Sequence, residues 1–256
     1  MLEDYRKVWV IGDLHGNYKG LMQVIEKSGF NPQTDMLISL GDIFDGWGDD
    51  VLCAKYLYDL PFKILVKGNH DQMVEEFLRS DRPNKLCKRT HDALEEASSF
   101  VLDDFYDLPT WLIGFFNRQQ LYSRFEFDGK KYLFVHAGIN RHYKLENQPH
   151  SHNNIFLWDR DFWLTVVAYD RCFQSEYPFK MRESFDHIFI GHTPTIFLNG
   201  NTHPETALKN KVINMDTGAG FATGRVSIMN VLDFNEFYVS DTSQELYPDL
   251  EPLKKI

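Results

Sequence analysis

The chain is poor in cysteine and has no long apolar run. Only three of its 256 residues are cysteine, at positions 53, 87 and 172, and they form no CxxC pair. Secreted disulfide frameworks use denser and even sets of cysteines, so we expect reduced thiols in an intracellular protein. The apolar run nearest the N-terminus, Val8 to Ile11, is far shorter than a signal peptide core or the about 20 residues of a membrane span. We therefore expect a cytoplasmic protein.

Cationic side chains are outnumbered in this sequence. There are 27 Lys and Arg residues against 37 Asp and Glu residues, which gives a formal net charge of −10. This balance argues against a general affinity for nucleic acid or for anionic membranes, although it leaves room for a local basic pocket. A hydrophobic content of 43% and a charged content of 25% exclude disorder as the dominant state.

Short, fully apolar runs alternate with helical patterns in the first third of the chain. Strands of this kind, separated by helices, indicate an α/β fold in which both faces of a sheet are covered. From about 71 to 131 the pattern is mostly helical, and the last third is rich in strands. No linker interrupts the chain, so we predict one domain over 1–256 with helical insertions at about 81–131 and 140–186. The predicted strands are Val8–Ile11, Met36–Leu40, Phe62–Val66, Lys131–Val135, His187–Ile190 and Lys211–Met215, and the predicted early helices cover 18–28 and about 50–59.

Polar side chains follow five of the predicted strands, at the point where each strand ends. The carboxyl ends of strands form the ligand crevice of α/β sheets, because the loops converge there. Asp, His and Asn side chains in one crevice suit a pair of divalent metals that share a carboxylate. A single such residue is more often a cap or a turn, but five in chain order favour a dinuclear metal site. The residues are Asp13, His15, Asp42, Asp45, Asn69, His70, His136 and His192.

These strand ends form a recognisable series of motifs. The series resembles that of the calcineurin-like metallophosphoesterases, and most closely the bacterial and phage branch of serine/threonine phosphoprotein phosphatases, which also includes diadenosine tetraphosphate hydrolases. The resemblance implies a four-layer αββα sandwich of two mixed sheets flanked by helices, with the metals between the sheets. The motifs are GDLHG (12–16), GDIFDG (41–46), GNHD (68–71), VHAG (135–138) and GHTP (191–194), followed by INMDTGAG (213–220).

The resemblance also implies a role for each site residue. Asp42 would bridge two metals, and His70 would act as general acid, oriented by Asp45. A hydroxide that bridges the metals would attack phosphorus. Mn²⁺ is the expected metal, while the ligand types leave Fe, Zn and Mg open. The implied metal ligands are Asp13 and His15 for the first ion, Asp42 for both, and Asn69, His136 and His192 for the second.

The sequence departs from the family pattern at position 46. The family's second motif ends in Arg-Gly and supplies a guanidinium for the substrate phosphate, whereas Gly46 and Trp47 stand here. Three explanations stay open: another arginine replaces it, the substrate needs less clamping, or catalysis is weak. Arg160 is the candidate substitute, because its segment resembles the tryptophan-and-arginine segment of the bacterial branch; the alternative is a surface arginine. Trp47 is a candidate for stacking on a substrate base.

The leading hypothesis is a dinuclear-metal-dependent phosphoric ester hydrolase, a phosphomonoesterase of the serine/threonine protein phosphatase type. The alternative is a hydrolase of nucleotide phosphoanhydrides or phosphodiesters, similar to a diadenosine tetraphosphate hydrolase. A non-catalytic phosphopeptide-binding protein is a third possibility. The expected partner is accordingly a phosphoprotein, a small phosphoester or a nucleotide, with no membrane and no general nucleic-acid binding.

Overall fold

The protein is represented by a computed structural model that describes residues 4–80, 86–97, 108–149, 154–172 and 179–251. Within these ranges ten strands form two five-stranded sheets. The first sheet has the order β10-β9-β1-β2-β3 and the second has the order β4-β5-β6-β8-β7. The strands of the first sheet are β1 (Val8–Ile11), β2 (Met36–Ser39), β3 (Lys63–Leu65), β9 (Ser227–Asn230) and β10 (Asp233–Val239). Those of the second are β4 (Tyr122–Phe127), β5 (Lys130–Val135), β6 (His187–Ile190), β7 (Glu205–Ala207) and β8 (Val212–Asn214).

Both sheets are mixed, as the family resemblance implies. Strands β1, β2 and β3 run parallel, and β9 pairs antiparallel with β1. In the second sheet β5, β6 and β8 run parallel, and β4 and β7 are antiparallel edge strands. The carboxyl ends of β1, β2, β5 and β6 lead into the motif residues, so these ends position the site.

The alternation of side chains along each strand produces the layers. In β1, Val8 and Val10 join a buried cluster that also contains Phe134 and Phe189 of the second sheet, so this cluster lies between the sheets. The neighbouring Trp9 instead joins the cluster that packs the first sheet against its helices. A third cluster packs the other face of the second sheet against helices. The layers form a four-layer αββα sandwich, and the fold prediction is therefore confirmed.

Helices fill the connections between the strands. The first helix is capped at its N-terminus by Asn17, whose side chain accepts a hydrogen bond from Gly20 N, and at its C-terminus by Gly29 in a left-handed conformation. None of the helices in the described part of the chain is long and apolar enough to cross a bilayer. The helices are α1 (Tyr18–Ser28), α2 (Asp50–Asp59), α3 (Asn69–Ser80), α4 (Lys88–Ala97), α5 (Leu108–Phe116), α6 (Ile155–Trp158), α7 (Asp161–Cys172), α8 (Ile196–Asn199) and α9 (Ser243–Leu246), with a 3₁₀ turn at Leu145–Asn147.

The prediction of a helical insertion over about 81–131 is wrong at its end. Residues 122–127 form strand β4, which pairs with β5 so that Phe125 lies opposite Tyr132. These residues form a strand because their apolar side chains alternate along the chain. Phe125 and Phe127 both pack against the core between the sheets. Helices α4 and α5 lie in the rest of that insertion, whose residues 81–85 and 98–107 are outside the described ranges. The single-domain organisation stays a prediction.

Candidate metal centre

Three side chains form a first cluster, His15, Asp42 and His70, whose ligand atoms lie within 4.8 Å of one another. His15 Nε2 is 3.7 Å from Asp42 Oδ2. The imidazole rings of His15 and His70 are 4.8 Å apart between centroids and nearly perpendicular. His15 and Asp42 both have positive φ angles, 50° and 48°, so each lies on a sharp turn where the chain leaves the sheet. The turns bring three separate motifs together.

A second cluster, Asp42, His136 and His192, shares Asp42 with the first. His136 Nε2 is 3.4 Å from Asp42 Oδ1 and 2.9 Å from Asn69 Oδ1. His136 Nδ1 lies 2.8 Å from Leu40 O, to which it donates in the tautomer that leaves the Nε2 lone pair for a ligand. His136 and His192 are both buried. One carboxylate thus stands between two groups of imidazoles, the arrangement that a pair of bridged cations requires.

Asp13 and Asn69 stand beside these clusters and belong to neither three-residue group. The Asp13 carboxylate accepts a hydrogen bond from His192 N at 3.2 Å. Burial, together with the charges of Asp216 and Asp42, raises the pKa of Asp13 well above its usual value. Burial opposes the ionisation of Asp42, but the nearby charges of His136, His70 and His15 outweigh it and hold the pKa of Asp42 well below its usual value. The structure therefore brings all six predicted ligands to one place.

Several features of this pocket fit metal ions. His192 Nε2 is buried and finds no hydrogen-bond partner among the described residues. Burial, with His136 and Arg160 nearby, lowers the pKa of His192 to about 3, so the ring is a neutral donor at neutral pH. A Cβ atom added at Gly191 would lie 2.2 Å from Asp13 Oδ1, so this backbone leaves no space beside the carboxylate. Carboxylate, imidazole and amide donors together suit Mn²⁺, Fe²⁺ or Zn²⁺.

His70 and Asp45 form a hydrogen-bonded pair at the edge of the first cluster. His70 Nδ1 lies 2.6 Å from Asp45 Oδ2, and the other carboxylate oxygen of Asp45 accepts a hydrogen bond from Cys87 N at 2.6 Å. Burial raises the pKa of Asp45, but the hydrogen bond to His70 and the charge of that ring outweigh burial and lower the pKa overall. Because Asp45 holds Nδ1, any proton that His70 gives to a substrate leaves from Nε2.

Arg160 lies at the rim of the second cluster. Its side chain is exposed, and Nη1 donates a hydrogen bond to His192 O at 2.9 Å. Asp159 accepts hydrogen bonds from Asp161 N and Phe162 N and so caps the first turn of α7 beside Arg160. The structure thus places the predicted substitute arginine next to a predicted metal ligand.

Position 46 cannot carry a side chain in this backbone. A Cβ atom at Gly46 would lie 2.1 Å from His15 O, and atoms essentially never approach so closely. The arginine of the family pattern is therefore excluded here unless the loop moves. The hypothesis that Trp47 stacks on a substrate base is wrong, because its ring is 1% exposed and stacks on Tyr247. Its indole Nε1 donates to Ala219 O at 2.7 Å.

Sequence reasoning missed two groups that hold the motif loops. The buried Asp71 carboxylate accepts hydrogen bonds from Ile43 N at 2.8 Å, from Gly68 N at 3.0 Å and from Gln119 Nε2 at 2.9 Å, so it ties the second motif to the third. Its place in the GNHD motif was a signal that could have found it. Cys87 N, which holds Asp45, gave no such signal, because a backbone donor has no pattern in the sequence.

The chain matches known proteins along most of its length. A sequence model of the family described as calcineurin-like phosphoesterase matches residues 6–210. Serine/threonine-protein phosphatase 1 of Salmonella typhimurium is 39% identical over 28% of this chain and 32% of its own length, so the match spans about a third of that relative. Serine/threonine-protein phosphatase 2 of the same organism is 28% identical over 89% of this chain and 94% of its own length.

Two further matches bear on substrate class and on fold. The symmetrical bis(5'-nucleosyl)-tetraphosphatase of Erwinia tasmaniensis is 33% identical over 51% of this chain and 44% of its own length. The solved structure of a protein serine/threonine phosphatase from Saccharomyces cerevisiae superposes with a TM-score of 0.59 over 97% of this chain and 83% of that chain. Sequence identity to that structure is 16%, so this likeness supports the fold alone.

Proposed function

The chain belongs to the calcineurin-like phosphoesterase family, and from this premise we propose that it is a phosphatase that uses two divalent metal ions to hydrolyse phosphomonoesters. One observation carries the proposal: two clusters of metal-binding side chains share the Asp42 carboxylate, and a His70–Asp45 pair stands at the edge of one of them. Phosphoserine and phosphothreonine of proteins are the proposed substrates, in line with the names of the Salmonella typhimurium relatives.

The proposed metal ligands lie in the two clusters and directly beside them. Bound divalent ions, for which we propose Mn²⁺, would supply Lewis acidity at the phosphoryl group and a nucleophilic water near neutral pH. Buried, closely spaced carboxylates support cation binding, because such charges are costly unless a cation balances them. The ligands would be Asp13 and His15 on one side, Asp42 between, and Asn69, His136 and His192 on the other.

His70 is the proposed general acid. Its Nε2 would donate a proton to the leaving oxygen from the imidazolium form of the ring, which the 2.6 Å contact between Nδ1 and the Asp45 carboxylate would stabilise and orient. The hydrogen bond from Cys87 N keeps the Asp45 carboxylate in place. Removal of the proton acceptor at Nδ1 would therefore reduce the rate without removing a metal ligand.

Arg160 is the proposed phosphate-binding residue. A guanidinium can hold two phosphate oxygens at once, and the contact with His192 O places Arg160 at the rim of the second cluster. Gly46 leaves no room for the arginine that the family pattern has at its position. Arg160 would thus hold the substrate phosphate from the side of the second insertion.

A nucleotide phosphoanhydride hydrolase is the second candidate. The resemblance to a symmetrical bis(5'-nucleosyl)-tetraphosphatase supports it, as does the lack of an arginine at position 46.

We also propose a cytoplasmic location, supported by the three cysteines, which are all unpaired in the structure.

The discriminating experiment compares hydrolysis of a phosphoserine peptide, diadenosine tetraphosphate and bis-p-nitrophenyl phosphate, each with added Mn²⁺. We expect the highest kcat/KM for the phosphopeptide and no turnover without metal. Faster hydrolysis of diadenosine tetraphosphate would replace the proposal with its alternative. Tight phosphopeptide binding without turnover would identify a binding protein instead of an enzyme.

A further inference from the structure

Trp47 directly follows Gly46, the position at which the family pattern has an arginine. It contacts His15 through its own loop and through a second loop. We propose that Trp47 is a positioning residue that fixes the geometry of His15 for metal binding. This inference rests on the proposed function, because it takes His15 to be a metal ligand.

The loop that contains Trp47 holds the main chain of His15. Trp47 N donates to His15 O at 2.7 Å, and the neighbouring Gly46 packs so closely on the same oxygen that no side chain fits. His15 Nδ1 lies 3.2 Å from Asp45 O, so the same loop also holds the imidazole and directs Nε2 toward Asp42. His15 has a φ of 50°, a left-handed conformation that is strained for a residue other than glycine and persists only where the surroundings hold it.

The indole ring also bonds to a second loop, and this loop packs against the imidazole of His15. Trp47 Nε1 donates to Ala219 O at 2.7 Å, and Ser243 Oγ donates to the same oxygen at 2.9 Å. The next residue, Gly220, lies against the imidazole, since a Cβ added there would be 2.9 Å from His15 Cδ2. Trp47 therefore connects its own loop, which bonds to the His15 backbone, with the loop that contains Ala219 and Gly220, which packs against the His15 imidazole.

Two further side chains contact the ring of Trp47. Tyr247 stacks on it with centroids 5.4 Å apart and an interplanar angle of 22°, and the Arg89 guanidinium lies 5.7 Å from its centroid. The Tyr247 hydroxyl donates to Asp49 Oδ2 at 2.6 Å, in the same loop as Trp47. Tyr247 lies beyond residue 210, where the family match ends. The proposed positioning of His15 thus depends on a segment outside the region that matches the family.

Trp163 offers a matched comparison for Trp47. Both rings are 1% exposed, but Trp163 Nε1 has no hydrogen-bond partner within the described ranges and packs with the helices on the second sheet. Replacement of either residue by phenylalanine removes a similar volume from a core. Only the Trp47→Phe change also removes an indole hydrogen bond beside the metal centre.

The test is Mn²⁺ binding by isothermal titration calorimetry to the full chain and to the Trp47→Phe, Trp163→Phe and Asp42→Asn variants. Orienting contacts around metal ligands are typically worth about 10- to 100-fold in affinity, so we expect Trp47→Phe to weaken one of two Mn²⁺ sites by about tenfold. Trp163→Phe is expected to leave both affinities unchanged. Equal affinities in the two tryptophan variants, with Asp42→Asn defective, would overturn the positioning role alone.

A second set of variants keeps the inference testable if Trp47→Phe does not fold. Tyr247→Leu removes the stacked ring and is expected to weaken the same Mn²⁺ site by several-fold, whereas Tyr247→Phe keeps the stack and should restore much of the affinity. Unchanged Mn²⁺ affinity in folded Tyr247→Leu would contradict the positioning role. A wild-type chain that binds no Mn²⁺ would overturn this inference and the proposed function together.

Discussion

The two clusters at Asp42 are built in different ways. His136 directly follows β5 and His192 stands two residues after β6, so the second cluster lies at the ends of parallel strands and is buried. His15 stands four residues after β1, and His70 lies in the first turn of α3 with 20% of its side chain exposed. The sheet itself therefore positions the second cluster, whereas loops from distant parts of the chain position the first.

We accordingly propose different tasks for the two clusters. The second cluster is buried and lies next to Arg160, which suits the binding of a metal and a phosphate. The first cluster contains the partly exposed His70, which must reach a leaving group that enters and departs. The departure from the family pattern at positions 46 and 47 lies in a loop that contacts His15 of the first cluster. The following predictions test that division.

The largest effect is expected at the residue that the clusters share. Asp42→Asn removes the bridging charge, so both metals should be lost and Mn²⁺-dependent hydrolysis of p-nitrophenyl phosphate should fall by more than about 1000-fold. Steady-state kinetics at saturating Mn²⁺ measure this loss. If only part of the activity were lost, the two clusters would not depend on a common carboxylate.

His70→Asn should impair the first cluster without emptying it. We expect kcat for a phosphoserine peptide to fall by about 100- to 1000-fold, because the poor leaving group needs a proton. The loss should be smaller for p-nitrophenyl phosphate, whose leaving group departs readily without one. The exposed His142 provides the control, since His142→Asn should retain full activity. Equal losses on both substrates would argue against His70 as the acid.

Restoration of the family arginine should damage the protein instead of improving it. Gly46→Arg places a Cβ 2.1 Å from His15 O, so the loop must shift and displace His15. A misplacement of about 1 Å can cost about 100-fold in rate, and we expect kcat/KM to fall by that order. Gly114→Ala in α5, where only the Arg118 side chain lies near, is the control. Higher activity in Gly46→Arg would show that the loop has room.

Arg160→Ala should affect the second cluster more mildly. Loss of a guanidinium at the rim should raise KM for phosphomonoesters by about tenfold, the equivalent of one charge-assisted hydrogen bond, with little change in Mn²⁺ affinity. Arg141→Ala, which removes a half-buried arginine that donates a hydrogen bond to Lys180 O, serves as control. Unchanged KM in Arg160→Ala would mean that another group binds the phosphate.

Asp35 lies in neither cluster, and its replacement should change stability alone. Burial opposes its ionisation, but hydrogen bonds from Arg6, Asn31 and Trp9 outweigh burial and lower the pKa of Asp35. Asp35→Asn should cost about 2 kcal/mol of unfolding free energy at pH 7 and leave kcat unchanged.

The pH dependence of that cost follows from the lowered pKa. The stabilisation is complete above the unfolded-state value of about 3.9 and is lost as the pH falls through the lower folded-state pKa. Urea unfolding between pH 7 and about pH 2 measures it. A difference between wild type and Asp35→Asn that stayed constant over this range would contradict the role of the carboxylate charge.

The sequence indicated which side chains come together in the two clusters far better than it indicated the contacts that hold them. His136 and His192 follow apolar strands within one or two residues, so strand ends alone place them at one edge of the sheet. The contacts of Trp47 with Ala219 and Tyr247 join residues 172 and 200 positions apart, and no local pattern specifies such packing. Strand β4 was missed for a different reason, because the alternation of Phe125 and Phe127 lies within a segment that was interpreted as mostly helical.

The most direct test of the shared-carboxylate arrangement is the number of Mn²⁺ ions bound per chain, measured by equilibrium dialysis with elemental analysis. The wild-type chain should bind two ions, and Asp42→Asn should bind none with comparable affinity. One ion in the wild type, or two in Asp42→Asn, would contradict a centre in which a single carboxylate joins two clusters.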